Sequence, residues 1–361
     1  MLIIIIQKGI VVRIRSPEKG AQTSVKGLFG KKGFEIELRE RPEIPVTGRM
    51  VRIRVNACGV CGTDLHFLKD LDEWTPMGHE ISAEVVETGS EVTRVHKGDM
   101  VICEDVTMCG SCEACKTGQI RLCRNGYTLE GQPGMSDELV VHENMLNVFT
   151  DIDPVTASMV EPLAVAIRGL NKLALRPFAS LAIFGMGAIG LLSAAYARAM
   201  GAGRIAMFAH NPNSLRNRAA SAAAADLGAD EVYYSSRPDY IEEALRKGAF
   251  DAAIVAAPPT VCADAMKLVG YGGSVLAMGV TFGNDACATL DVSDMVFHKK
   301  QLITSLAEPA VNFPLSIEMI RSGRINAGRI ITHTVPITEA QRLRELYASD
   351  APAIKTVILC R

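Results

Sequence analysis

Residues 181–190 read Leu-Ala-Ile-Phe-Gly-Met-Gly-Ala-Ile-Gly. A short apolar run ends in Gly185, Gly187 and Gly190, and helix formers continue from Leu191 to Met200. A strand, a glycine-rich turn and a helix in that order suit the pyrophosphate of a dinucleotide. The glycines let the backbone turn tightly and come close to the phosphates, whose charge meets the helix N-terminus. The pattern is common on its own, and the succession of elements after it gives it context. Strand-like runs at 204–209, 231–234, 250–257, 274–279 and 302–306 alternate with Ala-rich or amphipathic helical stretches. This β-α repetition predicts an α/β fold with a doubly wound, parallel, six-stranded sheet. Gly185, Gly187, Ala188, Ile189 and Gly190 are the first cofactor-binding candidates, joined by Ala257 and Gly279 near the ends of two later strands.

The end of the second strand bears on which dinucleotide binds. An acid there would bond the adenosine ribose 2′-hydroxyl, but the chain reads Ala206-Met-Phe-Ala209-His210-Asn211, without a carboxylate. His210, Asn211, Arg216 and Arg218 follow, and two guanidinium groups suit a 2′-phosphate. These residues favour NADP and leave NAD open, the bland alternative being that both arginines decorate a solvated helix face.

The chain has 361 residues, 48% of them hydrophobic and 22% charged, enough apolar material for two domains. Lys plus Arg number 38 against 40 for Asp plus Glu, a net charge of −2, so nucleic acid and anionic membranes are not expected partners. Between Arg176 and Arg198 lie 21 uncharged residues, the length of a membrane span. The glycine turn falls inside that window and claims it instead. Met1 to Ile6 reads as a short strand without a cleavage site, and a cytoplasmic location is expected.

The ten cysteines are not expected to pair in a reducing compartment. Cys109, Cys112, Cys115 and Cys123 form a compact run able to offer four thiolates to one ion, the donor set of a closed structural zinc site. An iron–sulfur cluster is the rival, but the bacterial ferredoxin run has a shorter final gap and a proline after its last cysteine, where Arg124 stands here. Cys103, Cys262, Cys287 and Cys360 have no paired spacing and receive no role.

A second donor set starts at Cys58-Gly-Val-Cys61-Gly-Thr-Asp-Leu-His66 and continues at Gly78-His79-Glu80. A catalytic zinc needs three protein ligands and an open position, so Cys61, His79 and a carboxylate suffice. That carboxylate is Glu80 or the remote Glu161, a lone acid in an otherwise apolar helix start that requires a partner. Cys58 reads as structural.

Taken together, Gly59 to His66, Gly78-His79-Glu80, the four-cysteine lobe, Glu161-Pro-Leu-Ala, the glycine fingerprint and Ala353-Ile-Lys-Thr-Val-Ile358 resemble a zinc-dependent medium-chain dehydrogenase/reductase. The pattern is nearest the polyol, sugar and threonine dehydrogenase branch. The resemblance implies a GroES-like, β-rich catalytic domain from residues 1–164 and 307–361, and a Rossmann domain at 165–306. It also implies two zinc ions per chain, with Cys61, His79 and Glu80 or Glu161 at the catalytic one and Thr63 and His66 as a proton relay. The implied reaction is hydride transfer between a nicotinamide and a secondary alcohol or ketone of a small polar substrate, with zinc as Lewis acid.

A homodimer or homotetramer is implied too, with the apolar strand 273–280 as a candidate shared edge. The chain departs from the pattern at Ala209, at 305–309, where the arginine of many polyol enzymes is missing, and at the charged stretch 13–33. Trp74, Met135 and residues near Leu306 are expected around the substrate. The rival classes are a zinc-free enone or quinone reductase, which has no use for the cysteine lobe, and a non-enzymatic zinc-binding regulatory module, which would show a basic face.

Overall fold

The computed structural model describes residues 24–281, 283–306 and 311–361; the expected strand at Met1 to Ile6 lies outside them. Six parallel strands form one sheet in the spatial order Glu231–Tyr234, Arg204–Ala209, Ser180–Phe184, Phe250–Val255, Val269–Ala277 and Gln301–Thr304. The central strands are buried along their length, which is why they read as continuous apolar runs. Helices cover both faces. Leu181, Ile183, Ile205 and Met207 pack with Val160, Leu163, Leu191 and Leu192 on one face, while Ala182, Phe184, Phe208 and Val255 pack with Tyr240, Ala265 and Leu268 on the other. The strand order reverses beside Ser180–Phe184, and this opens a crevice at the carboxyl ends of Ser180–Phe184 and Phe250–Val255. The 21-residue uncharged window is divided between the strand Ser180–Phe184 and the helix Ala188–Ala199. No described helix is long and apolar enough to cross a membrane.

The β-rich remainder comes from both sides of this unit. Its largest described sheet runs Leu146–Val148, Met100–Cys103, Glu80–Thr88, Met50–Gly59, Lys355–Leu359 and Ile331–Pro336, with Glu138–His142 also paired to Met50–Gly59. Strands from the two ends of the chain therefore meet at one ladder, where Val357, Ile358 and Leu359 pair with Gly59, Cys58 and Ala57. Alternate residues such as Ile53, Val55, Ile81, Ala83 and Ile358 point into a common core.

The strand expected to offer a shared edge is interior. Val269–Ala277 has a neighbour on each side, and the edge belongs to Gln301–Thr304. The apolar character of 273–280 reflects burial within the sheet, as Val275 and Leu276 are fully buried.

Candidate active site

The strand Met50–Gly59 delivers the chain to Cys61, which begins the helix Gly62–Asp70. Asp64, in the first turn of that helix and wholly buried, ties two loops together. Its Oδ2 accepts from the Cys61 amide at 2.9 Å and its Oδ1 from the Gly78 amide at 2.9 Å. Gly78 adopts a φ of +90°, and a Cβ there would strike Met135 and the Cys58 sulfur. This turn presents His79 and starts the strand Glu80–Thr88. The donor atoms of Cys61, His79 and Glu80 thus all lie within 4.8 Å of one another. Glu161, the second residue of the helix Val160–Leu173, lies outside this trio but close enough for its charge to act on His79. Burial pushes its carboxyl up to about 8, against the pull of His79.

Glu80 is 1% exposed and has a partner that spacing does not disclose: Lys355 Nζ lies 2.5 Å from its carboxylate and donates to the Val60 carbonyl at 3.0 Å. Although burial opposes a charged ammonium, Glu80 and Cys61 hold Lys355 well above its ordinary value. Gly59 leaves room for the Glu80 carboxylate, since a Cβ there would fall 1.9 Å from Oε2. A sulfur, an imidazole and a carboxylate converging in this way fit a zinc ion with an open position.

Thr63 is exposed, with Oγ1 3.7 Å from the Cys61 sulfur. His66, three residues along the same helix, is half-buried, with Nδ1 3.5 Å from Asp70. Cys58 is buried beside the trio without joining its donors: its sulfur lies against Gly78 and accepts from the Glu80 backbone. Met135, expected near substrate, is wholly buried and packs behind Gly78. Trp74 instead carries two cations, with Arg39 3.8 Å and Lys31 4.8 Å from its ring centre. Leu306 is exposed, and its carbonyl accepts from Arg168.

The four-cysteine lobe fits a second ion. Cys109 and Cys115 sulfurs are 3.9 Å apart, Cys112 and Cys115 3.6 Å, Cys112 and Cys123 3.8 Å, and Cys109 and Cys123 3.6 Å. A zinc tetrahedron with bonds of about 2.3 Å has sulfur–sulfur edges of about 3.8 Å, whereas a disulfide would need about 2.05 Å. Amides of Ser111 and Cys112 pull Cys109 down to about 6, while burial and neighbouring thiols push Cys115 up to about 12.

At the sheet, Gly185 has a φ of +103°, and a Cβ on it would meet the Ala256 carbonyl at 2.6 Å and the Ala257 Cβ at 3.4 Å. A Cβ on Gly190 would lie 1.9 Å from the Gly185 carbonyl, and one on Gly279 1.9 Å from that of Ala257. Gly185, Gly190, Ala257 and Gly279 therefore gather at the crevice, with Ala188 and Ile189 opening the helix Ala188–Ala199. A Cβ on Gly187 would have only Arg216 Nη2 near it, at 3.8 Å. His210 Nδ1 lies 3.1 Å from Ser235 Oγ, and the Asn211 carbonyl accepts from Asn217. Arg216 and Arg218 lie in the first turns of the helix Leu215–Asp226.

Comparison with known proteins agrees with this geometry. Residues 48–150 match the alcohol dehydrogenase GroES-like domain family, and residues 188–321 match the zinc-binding dehydrogenase family. Sorbitol dehydrogenase of Bacillus subtilis is 28% identical over 86% of this chain and 90% of its own length. L-threonine 3-dehydrogenase of Bacillus velezensis is 29% identical over 86% and 91%. The structure of a zinc-binding dehydrogenase from Clostridium scindens superposes with a TM-score of 0.82 at 25% identity, covering 93% of this chain and 99% of that one. The chain belongs to the zinc-type medium-chain dehydrogenases. It is accordingly an NAD(P)-dependent, zinc-type oxidoreductase of alcohols.

Proposed function

We propose that the protein oxidises a secondary alcohol of a small polyhydroxylated or hydroxy-amino-acid substrate, and reduces the matching ketone, with NADP as the favoured cofactor. The observation that carries the reading is the convergence of Cys61, His79 and Glu80, with Glu161 at the start of a helix that packs on the glycine-turn helix. The proposed catalytic portion is 1–164 with 307–361, and the cofactor domain is 165–306.

A zinc held by Cys61, His79 and Glu80 or Glu161 would supply a Lewis acid to the substrate oxygen, and the nicotinamide would exchange the hydride. The chain's own groups do the rest. Asp64 fixes the spacing of the Cys61 and His79 loops through two amide hydrogen bonds. Lys355 neutralises Glu80 in its buried position. The exposed Thr63 hydroxyl would accept the substrate proton as it gives its own onward in the direction of His66, which is oriented by Asp70 and releases a proton to solvent. Cys109, Cys112, Cys115 and Cys123 would hold a second, structural zinc. His210, Asn211, Arg216 and Arg218 would bind the adenosine end, where the absence of an acid at Ala209 supports the preference for a 2′-phosphate.

The proposed assembly is a homodimer or homotetramer through the Gln301–Thr304 edge. Leu302, Val292, Val296 and Phe297 are exposed there, the last at 78%. The proposed setting is cytoplasmic. Polyols, sugars, cyclitols and hydroxy-amino acids assayed with NADP or NAD by nicotinamide absorbance test the activity. Turnover lost on chelation and in Cys61→Ala supports the reading; no turnover across the panel, with zinc retained, would instead indicate the regulatory module.

A further inference from the structure

Ala209 ends the second parallel strand where dinucleotide folds of this order place an acid, yet a carboxylate reaches the neighbourhood from elsewhere in the chain. Asp350 follows the helix Leu343–Tyr347 in the C-terminal segment, 136 positions beyond Ser214. Its Oδ1 accepts from the Ser214 hydroxyl at 2.7 Å, and both carboxylate oxygens lie close to the Leu215 amide, at 3.1 and 3.0 Å. The Arg216 amide faces it as well.

At the start of the helix Leu215–Asp226 the Ser214 side chain accepts from the Asn217 amide while Asp350 takes up the Leu215 and Arg216 amides, so the carboxylate shares the capping of this turn from another segment of the chain. What Asp350 adds is a fixed negative charge. Donors from Leu215 and Ser214 hold its carboxyl below the ordinary range, so it is ionised at neutral pH. The same helical turn sends the Arg216 guanidinium back to Gly187 of the glycine turn, and Arg216 also acts on Tyr347, three residues before Asp350. The turn thus bears a cation on its own chain, aimed at the glycine turn, and holds an anion from another segment on its amides.

We propose that Asp350 is a specificity-determining residue for the nicotinamide cofactor: its carboxylate, delivered to the first turn of the helix Leu215–Asp226, weighs against the 2′-phosphate that Arg216 and Arg218 attract. The proposal rests on the reading that the adenosine ribose binds at this end of the sheet. Asp350 sets how far the arginines tilt the enzyme toward NADPH, and its removal sharpens that tilt. Because Asp350 is exposed, the effect is electrostatic at moderate dielectric and is screened by salt.

The test is the Kd of NADPH and of NADH by calorimetric titration, beside their KM, for wild type, Asp350→Asn and Arg216→Ala, at low and high ionic strength. Asparagine keeps one acceptor oxygen and loses the charge and the second acceptor, so a modest fall in melting temperature is expected, and the ratio between the two cofactors, which a loss of stability alone does not move, carries the reading. The expected result is that D350N lowers Kd and KM for NADPH relative to NADH by about threefold or more at low salt, with the difference shrinking at high salt. Equal changes for both cofactors, or none, while R216A shifts the ratio toward NADH, would overturn the proposal and leave Asp350 a tie between chain segments. A ratio that R216A leaves unchanged would instead refute the reading of the adenosine site.

Discussion

Alanine at Gly190 and at Gly187 separates two jobs that the glycine turn performs. At Gly190 a Cβ would sit 1.9 Å from the Gly185 carbonyl and 3.5 Å from Ile183, so the helix start must retreat by about 1.5 Å to restore ordinary contact. Backbone rather than a side-chain tip receives the clash, and the cost expected for such overpacking is about 2–3 kcal/mol. The same retreat withdraws the amides of Ala188 and Ile189 from the pyrophosphate, and a displacement of this size weakens NADPH binding by roughly tenfold or more. At Gly187 the backbone is extended, with φ −81°, and only Arg216 is near. Alanine is accommodated there without the cofactor, so stability changes by less than about 1 kcal/mol, while the new methyl stands where the pyrophosphate approaches. Urea unfolding and calorimetric titration with NADPH read the two effects. G190A should fail on both measurements and G187A on binding alone. A G190A variant with wild-type stability and affinity would refute the close strand–helix packing, and a G187A variant with wild-type affinity would refute the placement of the pyrophosphate.

Three further outcomes are expected from the geometry. Lys355→Met leaves Glu80 buried beside His79 without its cation and should cost about 3–5 kcal/mol in urea unfolding; adding Glu80→Gln should recover most of that, since removing both members of a buried pair is nearly neutral. Additive losses would contradict the pairing. Cys112→Ser opens the four-sulfur site and should lower bound zinc from about two to about one per chain by metal analysis, with a lower melting temperature; unchanged zinc content would exclude metal from the lobe. Burial opposes the charge on Glu231, but Arg204, Lys247 and Tyr233 overcome it and hold its carboxyl at about 2, against an ordinary 4.5. A depressed carboxyl stabilises the fold above its unfolded value, and the contribution fades as pH falls from about 4.5 toward 2. After allowance for solvent it amounts to about 1–2 kcal/mol. Glu231→Gln should therefore flatten the stability profile in that window, and an unaltered acid limb would contradict it.

The parallel sheet was legible because strands buried on both faces must be apolar throughout, and the helices between them carry their own periodicity. The same signal misplaced the edge. Val269–Ala277 is apolar because it is interior, whereas the true edge Gln301–Thr304 is short and largely exposed, as unpaired edges tend to be. Metal donors were legible wherever they are neighbours in sequence: four cysteines within fifteen residues, and His79 beside Glu80. Contacts between distant segments left no such trace. Lys355 stands 275 positions from Glu80 and Asp350 136 from Ser214, and each looks like an ordinary polar residue until the two ends of the chain meet. A lone lysine in the strand Lys355–Leu359, whose first four residues are buried, was the available clue. Asp64 had a local one, since an acid three residues after a helix start often bonds back to the N-cap amide.

The proposed chemistry depends on a metal between Cys61 and His79. Anomalous diffraction at the zinc edge, on crystals of zinc-replete protein, should show a peak about 2.3 Å from the Cys61 sulfur and about 2.0–2.1 Å from a His79 nitrogen, apart from a second peak among the four lobe cysteines. A strong peak in the lobe with none between Cys61 and His79 would contradict a catalytic zinc at this site.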